Sequence, residues 1–515
     1  METLNQRKEW VGKFYLYNNE FTKGEEASGK LIFDPVEGIY LFLEDGFTFG
    51  TSVTRTAEDE NGNIITDPLQ GRHKTQIDFS GPKDITIYGK CGEETLSLFN
   101  CNSTNNGFSV YADGDTLSKT GQQIYSVEYF TLYKGYPGFI LKNIESISGI
   151  NLEIDGLSQF VKRDAFTATP ERSIQQKKIN KNREKYYTCD LGDTKYSVID
   201  NYEQHEVSSG YIYKHLPLFK IEFGNRKNIR DAINTSSKLT HLVSLIHRSH
   251  KQINSFKLLI QKEYFKHNPL TLLSIEKISL LEDLYEFELY FKQKIYPVLP
   301  RNKNSTLFSL SDNLNLKDII SGYSNCSEKL ETQIKILLAS FSQQNEPEML
   351  LMSLMPALEG IYSILYEDTE KGHLPKVEYK KISTQAKKVI RSNKSNIISA
   401  TDLPQGNYEE YFKHITSNIS NNYRYFRQKL EDIISRDNAS ISPDIFDVVR
   451  ADNSWAENAV KYRNGYAHNG YIIENDDAPL SDIVTVAQNL LLVIILSEIF
   501  VNKDILLKIC KNYIS

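Results

Sequence analysis

Two rhythms of apolar positions divide this 515-residue chain. Up to about residue 225, apolar and aromatic residues come in short runs between turn signals. Phe14-Tyr15-Leu16-Tyr17, Gly29-Lys30-Leu31-Ile32-Phe33, Ile39-Tyr40-Leu41-Phe42-Leu43, Ile85-Thr86-Ile87-Tyr88-Gly89 and Thr95-Leu96-Ser97-Leu98-Phe99 are such runs. Alternation with a period of two is the pattern of a strand with one buried face. Residues 125–133 read as one longer strand, and strands resume at 196–199 and 218–223. Asn61-Gly62-Asn63, Ala112-Asp113-Gly114 and Gly192-Asp193 supply turns between them. Short strands recurring at this spacing predict an antiparallel sandwich or barrel.

The second rhythm has helical spacing. It first shows at residues 228–251, where Ile229, Ile233, Leu239, Leu242, Leu245 and Ile246 fall on one side of a predicted helix. Alternation returns at 284–292, before Pro297 and Pro300. From about residue 312 the period is helical throughout. Helices are predicted at 316–341, 346–366, 376–390, 411–434, 477–499 and 503–513, with another opening at Ser442-Pro443-Asp444. Many helices joined by short loops make a bundle. The chain is therefore read as multidomain α+β. A β-sandwich or barrel-like domain spans 1–310, with a basic helical insertion near 226–255, and an all-α bundle spans 311–515.

Composition narrows this picture only slightly. The 31 tyrosines and 25 phenylalanines suit a large β portion. A net charge of −6 gives no global basic field, so any nucleic-acid contact must come from a local patch. Five scattered cysteines without a CxxC pair read as free core thiols in a reducing compartment. Cys91 and Cys101 would sit on one hairpin. The first ten residues are polar and carry no signal core. The strongest apolar run, Leu490-Leu491-Leu492-Val493-Ile494-Ile495-Leu496, is far shorter than the ~20 residues of a membrane span. A cytoplasmic protein without a membrane anchor is expected.

Chemistry is sparse in the β-rich half. It has no phosphate-binding glycine loop and no metal-ligand spacing. A basic stretch at 172–185 reads either as a solvated loop or as an RNA backbone contact. The 228–251 helix and its start carry Arg226, Lys227, Arg230 and Arg248, the candidate RNA-guiding residues, with a solvated helix face as the alternative. His247-Arg248-Ser249-His250 lacks a third metal ligand, so no metal is expected there. Glu359 lies inside an apolar helix and needs a partner if buried; Arg463 is the attractive choice.

The densest chemistry lies in Trp455-Ala456-Glu457-Asn458-Ala459-Val460-Lys461-Tyr462-Arg463-Asn464-Gly465-Tyr466-Ala467-His468. An arginine with a histidine four to six positions later is expected about once by chance in a chain with 10 histidines. Its setting adds weight. Asn469-Gly470 is a helix stop directly after the histidine. Five residues are about 140° on an ideal helix, so Arg463 and His468 would not share a face. Either the helix distorts near Gly465, or His468 lies at its frayed end. A guanidinium suits a phosphate oxygen, and an imidazole moves protons near neutral pH.

Arg463-Asn464-Gly465-Tyr466-Ala467-His468 resembles the arginine–polar–three residues–histidine motif of HEPN ribonucleases. Gly29-Lys30-Leu31, Ile87-Tyr88-Gly89-Lys90 leading to Leu98-Phe99-Asn100-Cys101, and Glu128-Tyr129-Phe130 ahead of Gly135 resemble the N-terminal domain of ApeA-type defence proteins. Together the resemblances cover nearly the full chain. They imply metal-independent cleavage of RNA by attack of the 2′-hydroxyl on the adjacent phosphate, with no cofactor. His468 would move the proton and Arg463 would stabilise phosphoryl charge. Asn464 would orient the histidine or bond a phosphate, with Lys461, Tyr462 and Glu359 in support.

The resemblance also implies a homodimer or higher homo-oligomer formed through the HEPN domain, with two motifs facing one scissile phosphate. The implied role is abortive infection, with cellular RNA as target, tRNA being one candidate, and a phage-derived trigger. Two other readings stay open. One is a non-catalytic HEPN module that binds RNA or protein. The other is a toxin silenced by a partner that modifies a residue such as Tyr471.

Overall fold

A computed structural model of the chain describes residues 4–17, 23–44, 46–48, 51–58, 64–65, 72–79, 83–104, 108–113, 116–134, 147–161, 166–167, 178–179, 185–199, 202–207, 210–261, 284–293, 306–312, 314–341, 346–365, 376–400, 408–419, 425–435, 441–469, 478–500 and 502–513. Asn61-Gly62-Asn63, Tyr471 and most of the basic stretch 172–185 lie outside these residues. The chain forms two compact units. One comprises 1–246, 251–296 and 309–317; the other comprises 247–250, 297–308 and 318–515.

The first unit is built on a 13-stranded antiparallel sheet. Its strands, in chain order, are β1 (Lys8–Tyr17), β2 (Lys23–Asp34), β3 (Gly38–Leu43), β4 (Ile85–Cys91), β5 (Glu94–Ser103), β6 (Gln123–Val127), β7 (Tyr129–Lys134), β8 (Ile147–Ile154), β9 (Lys185–Leu191), β10 (Thr194–Ile199), β11 (Leu218–Lys227), β12 (Ile253–Gln261) and β13 (Leu284–Phe291). Their order across the sheet is β6-β3-β2-β1-β4-β5-β7-β13-β12-β8-β11-β10-β9, and β6 also pairs with β5. That last pairing, Tyr125 opposite Ser103 and Ser126 opposite Asn102, closes six strands into a barrel. The other seven strands extend the sheet beyond it. The region is thus a barrel with an open extension.

The closure depends on β5 serving two partners. Residues 94–99 of β5 pair with β7, and its end pairs with β6. Asn100, between the two, takes a left-handed φ of +52°. The 125–133 run is correspondingly two strands, parted at Glu128. Alternation fills the barrel: Gln123, Tyr125 and Val127 are buried, while Ile124 and Ser126 are only half-buried. Leu31, Phe33, Leu41, Leu43 and Phe14 are all fully buried. Gly12 and Gly29 face each other across β1 and β2. A Cβ at Gly12 would lie 2.2 Å from the Lys90 carbonyl oxygen, and one at Gly29 would lie 2.3 Å from that of Phe42. Only glycine permits this approach, which lets a small barrel coil.

All five cysteines are free and buried. Cys91 and Cys101 sit at opposite ends of the β4–β5 pair, opposite Glu94 and Ile85. Burial pushes the thiols of Cys91, Cys326 and Cys510 up to about 12, and raises those of Cys101 and Cys189 as well. Alkylation needs the thiolate. Iodoacetamide at about pH 8 is therefore expected to label none of the five in the folded protein and all five in denaturant, read by intact mass. Labelling of Cys101 before unfolding would contradict this core.

Twelve helices are described. α1 (Leu157–Val161) and α2 (Ile229–His247) precede the helical region. It then holds α3 (Leu316–Ser340), α4 (Pro347–Leu365), α5 (Lys376–Ser392), α6 (Lys394–Ser399), α7 (Tyr408–Asn418), α8 (Phe426–Ser435), α9 (Pro443–Val449), α10 (Asn453–Asn469), α11 (Leu480–Ile499) and α12 (Lys503–Tyr513). The 411–434 stretch is therefore two helices, α7 and α8. In sequence, Ser417-Asn418 and Ser420-Asn421-Asn422 form a polar run within that stretch.

α11 is the axis of the second unit, and α4, α9, α10 and α12 pack on it. The apolar run at 490–496 is only its middle. The whole helix is long and apolar enough by itself to cross a membrane, as is α4, but 78% of the α11 window is buried inside this protein. α11 is thus the core helix of the bundle, apolar on every side from Leu490 to Leu496, where each residue is buried.

Candidate active site

Local chemistry sets how α10 is rotated. The Asp452 carboxylate accepts the Trp455 backbone N–H at 2.7 Å, capping the helix start. Trp455, Ala456, Ala459 and Tyr462 are buried. The Trp455 indole N–H donates to the Ile483 carbonyl at 3.1 Å. The Tyr462 hydroxyl donates to the Ala478 carbonyl at 2.7 Å. These two bonds, seven residues apart, fix which face of α10 turns inward. Tyr462 is therefore an anchor in the core.

The opposite stripe turns outward. Glu457, Lys461, Asn464 and His468 follow steps of four, three and four, which keeps them on one face. Glu457 and Asn464 are half-buried, and Lys461 and His468 are exposed. His468 lies in the last turn, one residue before the helix ends at Asn469. The helix is continuous through Gly465, so the histidine sits at the helix end and no distortion is needed.

Arg463 stands at the edge between the two faces and is half-buried. Its guanidinium carbon lies 5.5 Å from the centre of the Phe426 ring on α8. Its Nη1 donates to the Asn464 Oδ1 at 3.1 Å. The backbone positions of Arg463 and His468 are about 140° apart. Asn464, however, is one turn below His468 on the outward stripe, where such neighbours have Cβ atoms about 5–6 Å apart. The bond to Asn464 draws the guanidinium toward that stripe. Asn464 thus holds the guanidinium beside the stripe that ends in His468, a contact the spacing alone did not reveal.

Glu359 does not meet Arg463. Its carboxylate takes the Lys429 ammonium at 2.5 Å. α8 packs on both α4 and α10. It offers Lys429 to Glu359 and Phe426 to Arg463, three residues apart on one side. The half-buried glutamate is neutralised by Lys429, and among the described residues the Arg463 guanidinium has no carboxylate partner. Lys461 bonds Glu457 at 2.8 Å, and Arg427 reaches Glu457 at 3.2 Å. The Lys461 hydrogen bond, with both cations close by, holds the Glu457 carboxyl below its usual range. Phe426 and Lys429 were invisible to motif reading, because nothing in a linear sequence pairs them across helices.

The candidate cations of the β-rich half are engaged with their own chain. Lys227 lies 3.8 Å from Asp193. Arg230 lies 3.5 Å from Glu128. Arg248 donates to Asn489 at 2.9 Å. Arg226 is exposed near the end of β11. His247 is buried at the end of α2, with its Nδ1 3.5 Å from the Thr306 hydroxyl.

Against known families, residues 9–322 match a model described as ApeA N-terminal domain 1. Residues 352–505 match a model described as Apea-like HEPN. The second span contains α10 and every residue of the outward stripe. No curated protein and no solved structure matches the chain.

Proposed function

Because this chain belongs to the ApeA family, with an ApeA N-terminal domain followed by an ApeA-like HEPN domain, we propose that it is a metal-independent endoribonuclease acting in anti-phage defence. One observation carries the reading. Arg463, held against Asn464, and His468, one turn beyond Asn464, stand at the exposed end of a helix whose other face is pinned in the core.

In the reaction, one His468 takes the proton of a ribose 2′-hydroxyl. The 2′-oxygen bonds to the adjacent phosphorus, and the bond from phosphorus to the 5′-oxygen breaks. A second histidine returns a proton to that leaving oxygen. The products are a 2′,3′-cyclic phosphate and a 5′-hydroxyl. Arg463 meets the charge that grows on the phosphoryl oxygens. A single α10 supplies one imidazole, so the site is completed by the partner subunit's His468 in a homodimer. Asn464 holds the guanidinium as a positioning residue. The targets are cellular RNAs, tRNA among them, and the N-terminal domain restrains the nuclease until infection. The protein acts in the cytoplasm.

The test is to incubate purified full-length protein with total RNA in EDTA and to identify the new ends. Cleavage with cyclic-phosphate ends is expected. Salt-dependent RNA binding without any cleavage would instead make the bundle a binding module.

A further inference from the structure

α5 is unlike the other long helices of the bundle. It carries Lys376, Lys380, Lys381, Lys387, Lys388 and Arg391 against one acid, Glu378, within 17 residues. The whole chain has net charge −6, so this is a local concentration against the general sign. On an ideal helix, positions 380, 387 and 391 fall within about 40° of one another, with 381 and 388 on the flank. From 380 to 391 the stripe is about 16 Å long. Lys380, Lys381, Lys388 and Arg391 are exposed and Lys387 is half-buried. Lys381 meets Glu378 at 2.8 Å. Lys380, Lys388 and Arg391 make no ion pair among the described residues.

The packing of α5 is as unusual as its charge. None of its described side chains is buried. Tyr379, Ala386 and Ile390 form the half-buried side, and the Tyr379 hydroxyl donates to the Ile419 carbonyl at 2.8 Å. A helix of this length draws little stability from propensity alone and ordinarily depends on an amphipathic face packed in a core. Here the face with the strongest character is cationic and turned to solvent. Ile419 lies seven residues before Phe426, the ring beneath Arg463. Their Cα atoms are therefore at most about 24 Å apart, a span one folded RNA can bridge.

We propose that the Lys380–Lys387–Arg391 stripe of α5, with Lys388, is the phosphate-backbone docking surface of the RNA that the Arg463–His468 site acts on. This rests on the nuclease reading above. The exposed Lys380, Lys388 and Arg391, with the half-buried Lys387 beside them, complement a polyanion whose charges repeat along its length. An anionic membrane is the poorer fit. α5 does expose Val377, Ile382 and Val389, but it has none of the Trp, Phe or Leu that typically bury an interfacial helix in a bilayer.

The experiment uses the full chain with His468→Ala, so that the RNA stays intact. Lys380→Gln, Lys388→Gln and Arg391→Gln are combined on it, and binding to bulk tRNA is measured by anisotropy across a salt series. Losing about three phosphate contacts lowers the slope of log affinity against log salt by about 2 to 3, and affinity at about 50 mM salt by roughly 10²-fold. The charge-keeping set Lys380→Arg, Lys388→Arg and Arg391→Lys is expected to bind like the parent. Equal melting temperatures exclude unfolding as the cause. An unchanged salt slope in the glutamine set, with the parent binding RNA, overturns the docking surface and leaves the nuclease reading standing. Binding of the parent to anionic vesicles with an unchanged RNA slope likewise overturns it. A parent that binds no RNA, from a wild type that cuts none, overturns both.

Discussion

Replacing His468 by alanine is expected to lower RNA cleavage by about 10²–10⁴-fold, the usual worth of a general acid or base. Arg463→Ala is expected to cost about 10²–10³-fold, as for loss of one donor to a developing oxyanion. If the two act on one transition state, the double variant is expected to be little worse than the poorer single one. The two substitutions differ structurally. His468 is exposed in the last turn of α10, so its loss should leave stability within about 0.5 kcal/mol. Arg463 also covers the Phe426 ring, so its alanine variant loses packing as well as charge. Arg463→Lys separates these. It keeps the stem and the charge but loses the planar fork. Single-turnover cleavage, read beside melting temperature, is the measurement. Wild-type cleavage by folded His468→Ala protein would end the proposal.

The motif could be read because it is local. Six consecutive residues carry an arginine, an amide and a histidine, and the stop signal follows at once. What the sequence could not supply was the direction of each side chain. That direction comes from Trp455 and Tyr462, whose polar atoms bond carbonyls on another segment. The partner of Glu359 was beyond reach for the same reason. Lys429 is 70 residues away in sequence, and many cations are as plausible on paper. Pairing across helices is decided by how α8 packs, and α8 could only be separated from α7 by giving weight to a short polar run.

In the β-rich half the individual strands were legible and their closure was not. Alternation depends on neighbouring residues, so β1 to β5 could be placed. The barrel depends on β6 returning to the end of β5, with Tyr125 opposite Ser103, and no local pattern encodes that. The sequence carries one local sign of the junction. In 125–133 the inward positions run Tyr125, Val127, then Phe130, Leu132. That slip of phase falls at Glu128, where the chain passes from β6 to β7. Neighbouring β7 residues 129–133 are all buried, so alternation fades there, as it does in strands covered on both faces.

The same junction should dominate the stability of the N-terminal unit, and Phe130→Ala is expected to cost about 3–5 kcal/mol. Phe130 on β7 is fully buried. Its ring stacks on Tyr290 of β13, with centroids 4.7 Å apart and planes 2° off parallel. Trp10 of β1 meets both rings edge-on, at 5.1 and 5.3 Å. Phe33 of β2 meets Tyr290 at 5.3 Å. Barrel strands β1 and β2 are thereby locked to extension strands β7 and β13 through four rings. Removing Phe130 takes away its own burial and contacts with three other rings, each worth roughly 0.5–1.5 kcal/mol beyond area. Tyr290→Phe is the informative comparison. It keeps every ring and deletes only the hydroxyl that bonds Lys8 and Glu288, a loss of about 1 kcal/mol. In a unit of this size the alanine change should lower the melting temperature by on the order of 10 °C and the phenylalanine change by a few degrees. Near-UV circular dichroism, which follows aromatic packing, would track both. Equal shifts for the two variants would mean that the hydroxyl network, and not the ring cluster, fastens the barrel to its extension.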